Sequence, residues 1–271
     1  MGESQSPPVE ALRPPLSAIM VEVQALRCAD GPATGSRRYA APSRGFTGSL
    51  KGGLPMTEAE WLTAVSPWGM LEYLEKYVGS RKKNLFAAAC VRRLWHLLPG
   101  PQCRQAVEML ERFVDGEVTS DELASARDAA TAEGAARHPG SNQNSGIYAT
   151  IAASHDDPEF TAAFAVDAMG WTQVGTSEAI SRAEEQAQCD LLKDIFNNPF
   201  RPVAVDPHWL TSNVVDLART IYEERAFERL PILSDALQDA GCENADILSH
   251  CLSEGPHVKG CWVVDLLLGK A

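Results

Sequence analysis

Two capping boxes, Thr57 with Glu60 and Thr119 with Glu122, limit what this chain can fold into more than any other local feature. In each, a threonine hydroxyl and a glutamate carboxylate three residues later satisfy two backbone N–H groups that a helix start would otherwise leave orphaned. Apolar residues then recur at helical spacing. Met70, Leu71, Leu74 and Val78 form one such stripe; Val107, Leu110 and Val114 form another; Ile180, Ala183, Ala187, Leu191 and Ile195 form a third. Gly79, Pro99-Gly100-Pro101 and Gly116 stop the helices in between. The pattern predicts helices over 57–62, 66–78, 80–98, 102–115, 119–134, 157–169, 177–197, 212–224, 231–240, 244–252 and 256–268. Alternating β patterns are scarce, with 203–205 the single short candidate. The expected fold is all-α, a compact multi-helix domain of short antiparallel helices.

The helix signals begin abruptly. Residues 1–55 contain Pro7-Pro8, Pro14-Pro15 and Gly52-Gly53 and hold no sustained period, so they read as a disordered or weakly structured leader. The helical domain is expected over 56–271, with two lobes divided by the Gly-, Ser- and Asn-rich stretch 137–146. Met56, directly before the first cap, is a candidate natural start. Charge follows the same division. The leader carries six basic and four acidic residues, while the chain as a whole carries a formal −12, so residues 56–271 sum to −14. Such a field repels nucleic acid and anionic membranes, and it favours solubility and basic partners; a solvated acidic surface explains the number equally well.

The most apolar stretch, Trp262–Leu268, is short and interrupted by Asp265, whereas a membrane span needs about 20 apolar residues. The run 16–23 is broken by Glu22 and followed by no small-residue cleavage site. Seven cysteines in a chain of 271 residues are most simply reduced thiols. Together these features predict a cytoplasmic protein.

Four stretches carry a resemblance: Met56–Leu62 (MTEAEWL), Leu85–Trp95 (LFAAACVRRLW), Leu192–Pro202 (LKDIFNNPFRP) and His257–Lys270 (HVKGCWVVDLLLGK). They resemble a family of bacterial proteins that occurs in many paralogous copies in some large genomes. The resemblance spans about residues 56–271 and implies a bacterial cytosolic setting. The family has no established activity, so the resemblance implies no mechanism and no catalytic residue.

Familiar catalytic templates fail. There is no Walker A loop, no Rossmann glycine fingerprint, no His-Glu-x-x-His, no Gly-x-Ser-x-Gly elbow and no Cys-x-x-Cys pair. No residue is assigned a catalytic or cofactor-binding role. One group fits a metal: His250, Cys251, His257 and Cys261 offer two imidazoles and two thiolates, the ligand types zinc prefers. If the last helix includes residue 257, His257, Cys261 and Asp265 share one of its faces. Gly260 opposes that helix start. The competing reading is a terminal core helix with buried cysteines and a hydrogen-bonded histidine. Asp265, in that apolar turn, is expected to pair with an arginine, with a catalytic acid as the other reading. The helix after Ser80 holds the basic cluster, with Arg81 in line with Arg92 and Lys82 in line with Arg93. Pairing with acidic neighbouring helices, and binding of an anion or nucleic acid helped by Trp95 and His96, are its two readings.

The sequence therefore predicts a helical protein-interaction or scaffold module with a protein partner, no nucleic acid and no membrane. The alternative is an enzyme or zinc-binding protein with its site around His250–Asp265.

Overall fold

The first of the described helices starts where the cap at Thr57 predicts it. In a computed structural model, which describes residues 56–75, 80–98, 100–137 and 177–270, the Thr57 hydroxyl accepts from the Glu60 N–H at 3.3 Å, and the Glu60 carboxylate accepts from the Thr57 N–H at 2.7 Å. The second box, Thr119 with Glu122, closes with the same distances. The described residues are all-α. In chain order they form α1 (Glu58–Thr63), α2 (Trp68–Glu75), α3 (Ser80–Arg93), α4 (Pro101–Val114), α5 (Ser120–Arg137), α6 (Ser177–Phe196), α7 (Ser212–Glu224), α8 (Leu230–Asp239), α9 (Ala245–Leu252) and α10 (Trp262–Leu268). The expected leader over 1–55, the helix over 157–169 and all but the first residue of the loop at 137–146 lie outside the described residues.

α3 is the central element. Every residue from Leu85 to Val91 is at most 4% exposed, and a helix that is apolar around its whole circumference belongs in the interior. It packs against α4 and α6. Its basic residues lie towards its ends, Arg81 and Lys82 in the first turn and Arg92 and Arg93 in the last. The α-helix is shorter than its sequence pattern, and residues 94–97 continue it as turns. The short link 115–119, with Gly116 at φ +76°, turns the chain so that α5 packs along α4. The Glu133 carboxylate of α5 accepts from the Gln102 and Cys103 N–H groups at 2.9 and 3.2 Å. It thereby caps α4, whose own preceding residue, Gly100, has no side chain to do so.

The stretch 198–202 crosses without helix, and the Tyr73 and Phe200 rings stack at 5.1 Å. Residues 203–205 form no strand. The C-terminal helices α7 to α10 share one apolar core built from residues such as Val214, Ile221, Leu233, Ile247 and Val263. α6 meets this group through α10.

The last helix corrects the sequence reading. It begins at Trp262, not near residue 256, so His257 lies on the preceding segment and shares no helix face with Cys261 and Asp265. Gly260 is the physical reason. Its φ of +100° breaks the helix, and a Cβ there would stand 2.9 Å from a Leu85 methyl of α3. Gly260→Ala is expected to cost about 2 kcal/mol through backbone strain and this contact. The measurement is a urea midpoint at unchanged slope; a midpoint equal to that of the parent chain would show that neither constraint holds.

No helix among the described residues is long and apolar enough to cross a membrane.

Candidate metal centre

Three separate pieces of chain converge on one point. α6 supplies Asp194 from its last turn, α9 supplies His250 from its last turn, and the segment 253–261 supplies His257 and Cys261. Local chemistry places each piece. The Asn244 side chain accepts from the Asp246 and Ile247 N–H groups at 3.0 and 3.1 Å and starts α9. Ser253 then leaves the helix in extended conformation, and its hydroxyl donates to the His250 carbonyl at 2.8 Å. The turn at Gly260 returns the chain into the core, where Cys261 is the residue preceding α10.

One donor atom from each of Asp194, His250, His257 and Cys261 lies within 4.8 Å of every other. Asp194 Oδ1 is 2.9 Å from His257 Nδ1 and 3.2 Å from His250 Nε2, which is itself 3.2 Å from Cys261 Sγ. A tetrahedral ion with bonds of about 2.0–2.3 Å sets its donors about 3.3–3.8 Å apart. The group is therefore close to coordination spacing before any adjustment. Asp194 and Cys261 are buried, and the two imidazoles nearly so. The Trp262 ring, 5.2 Å from that of His250, walls the site.

The surrounding hydrogen bonds orient the donors. The Val258 N–H donates to Asp194 Oδ2 at 3.0 Å, which occupies that oxygen and leaves Oδ1 facing the imidazoles. His257 Nε2 lies 3.1 Å from the Ser253 carbonyl and 3.3 Å from the Ser253 hydroxyl. A carbonyl can only accept, and the hydroxyl proton already goes to His250. His257 Nε2 therefore carries the hydrogen, and Nδ1 presents either a lone pair or a second proton to Asp194. This is how a metal-ligating imidazole is held: one nitrogen fixed by a backbone carbonyl, the other turned inward. Without a cation, burial lowers the affinity of His257 for a proton, yet the adjacent Asp194 carboxylate outweighs it and raises the pKa. Burial pushes the Cys261 thiol well above its ordinary value, and Asp194 adds to that. A bound divalent ion reverses this, because it stabilises the thiolate directly.

Of the four residues singled out in the sequence, the structure brings His250, His257 and Cys261 together and sends Cys251 elsewhere. Successive helix residues point about 100° apart, so His250 and Cys251 cannot both face the site from α9. Cys251 packs in the C-terminal core with Ile247 and Cys242, where burial pushes its thiol up to about 12. The residue that sequence reasoning missed is Asp194. Its signal was faint: a carboxylate three residues after Leu191 and next to Ile195, on the apolar side of its helix.

The three arginines of α3 are engaged by carboxylates. Arg81 donates to both Asp265 oxygens at 2.6 and 3.3 Å. Arg92 forms a bidentate pair with Glu111 at 2.6 and 2.7 Å, and Arg225 joins the same carboxylate. Arg93 meets the fully buried Glu184 at 2.9 Å. Asp265 thus has the arginine partner its apolar surroundings demand, and the acidic partners of α3 come from α4, α6 and α10.

No family model, no curated protein and no solved structure matches this chain.

Proposed function

We propose that this chain is a helical metal-binding protein in which Asp194, His250, His257 and Cys261 hold one zinc ion in a structural site. The observation that carries this reading is the convergence of four donors, of three chemical kinds, from segments as far apart as α6 and the segment before α10. Two imidazoles, a thiolate and a carboxylate suit zinc and its borderline neighbours, whereas magnesium and calcium want oxygen donors throughout. Four protein donors complete a tetrahedron and leave no position for water or substrate, which is the mark of a structural rather than a catalytic ion. The six cysteines among the described residues are all buried and free, which fits a reducing compartment such as the cytoplasm.

The ion would cross-link α6, α9 and the segment leading into α10. That role is compatible with a protein-interaction or scaffold module, whose surface needs rigidity and no catalytic group.

Elemental analysis after expression in zinc-supplemented medium tests the reading. About one zinc per chain is expected, with Asp194→Ala, His257→Ala and Cys261→Ala each reducing it severely and Cys251→Ala retaining it. Cobalt substitution gives a second readout, since a thiolate ligand produces an intense near-ultraviolet charge-transfer band that Cys261→Ala removes. A chain that takes up neither zinc nor cobalt overturns the proposal.

A further inference from the structure

A second cluster lies apart from the proposed metal ligands, around the ring of Tyr222 in α7. The Lys259 and Lys270 ammonium groups stand 4.7 and 4.5 Å from its centroid, within cation–π range. Both also meet one carboxylate, Asp115, at 2.7 and 3.1 Å. Asp115 accepts from the Tyr222 hydroxyl at 2.6 Å and lies 3.5 Å from Arg81. Burial alone would raise the Asp115 carboxyl, but Lys259 and the Tyr222 hydroxyl outweigh it and hold it at about 2. It is an anion at any ordinary pH.

The charges around that carboxylate do not cancel. Arg81 is answered by Asp265, so Lys259 and Lys270 share Asp115 between them and, among the described residues, leave one positive charge over. Each ammonium has three N–H groups, of which Asp115 takes one from each. These lysines line a cavity of about 410 Å³, whose walls also include Arg112 and Arg219. Four cations and three carboxylates line it; Arg112 pairs with Glu117 at 3.2 Å and Arg219 with Asp216 at 2.9 Å, so the two lysines carry its unbalanced charge, in a domain whose overall balance is −14. The volume falls in the range of small-molecule sites, about 300–1,000 Å³, and exceeds what a lone inorganic ion needs.

We propose that this cavity binds a small oxyanion-bearing metabolite, with Lys259 and Lys270 donating to its anionic group and Arg219 contacting it from the wall. Phosphate esters and polycarboxylates share the required chemistry: several oxygen acceptors and a charge of −2 or more. The site does not depend on the metal reading, since Lys270 and Arg219 lie outside the metal cluster.

Titration of the full chain in low-salt buffer, followed by calorimetry and by thermal melting, tests this with inorganic phosphate, pyrophosphate and citrate as probes. Saturable binding by at least one probe is expected, weakened about tenfold or more by Lys270→Met, as loss of one charge-assisted hydrogen bond implies. Arg219 is exposed and its ion pair with Asp216 lies on the surface, so Arg219→Ala is expected to keep the fold and to weaken binding several-fold. Tighter binding of the phosphates identifies a phosphate ester as the ligand class, and tighter binding of citrate identifies a polycarboxylate. Melting shifts that merely match sodium chloride at equal ionic strength, or affinities unchanged in both variants, overturn the proposal.

Discussion

Asp265→Ala is expected to cost about 3 kcal/mol, the low end for breaking a buried ion pair. For a domain of this size that lowers the melting temperature by about 6–12 °C. Asp265 is fully buried, while Arg81 keeps one-fifth of its side chain exposed. Burial pushes the Asp265 carboxyl up, and the Arg81 guanidinium works against that push. The intact pair is therefore a weak source of net stability, because desolvation consumes most of the attraction. Removing only the carboxylate is different. It leaves Arg81 beside Lys82 with the shared Asp115 as the remaining anion nearby. Arg81→Leu combined with Asp265→Leu should recover part of the loss, since the guanidinium is then removed together with its carboxylate. A single variant that melts with the parent chain would sink this account and place Asp265 in water.

The second large effect concerns the proposed zinc. A ligand that binds only the folded chain stabilises it by about 2.7 kcal/mol when free at 100 times its dissociation constant. For this domain size, that is a rise of about 5–11 °C in melting temperature on loading. Zinc added to chelator-treated protein should produce this rise, and EDTA should reverse it. The gain should vanish in His257→Ala and in Cys261→Ala but persist in Cys251→Ala, whose thiol lies in the apolar core. Because Cys261→Ala also alters a buried core position, the informative quantity is the zinc-dependent increment within each variant, not its absolute melting point. Equal increments in all three variants would mean that zinc acts elsewhere, or nonspecifically.

Both effects involve residues that are remote in sequence, and that separates what could be read in advance from what could not. The helices were legible because their determinants are local. A threonine hydroxyl three residues from a glutamate closes a capping box wherever the chain goes afterwards. The stops at Gly116 and at Pro99–Pro101 likewise act within a turn. Among the described helices, the one start misplaced by several residues, that of α10, shows the limit of local propensity. Gly260 warned against helix, but its positive φ and its seat against Leu85 belong to the packing of the C-terminal segment on α3.

The sequence by itself determined the all-α architecture of the described residues, most helix boundaries, the demand of a carboxylate at Asp265 for a cation, and the nearness of His250, His257 and Cys261 along the chain. Only the tertiary structure decided which arginine answers Asp265, that Cys251 turns away while Asp194 turns in, and that two lysines meet over Tyr222. The physical reason is the same in each case. Hydrogen bonds within a turn are set by residue identity and spacing, whereas Asp194 is 63 residues from His257 and Arg81 is 184 from Asp265. Such partners are selected by which helix faces can bury their apolar stripes together, and polar groups on the edges of those stripes meet as a consequence.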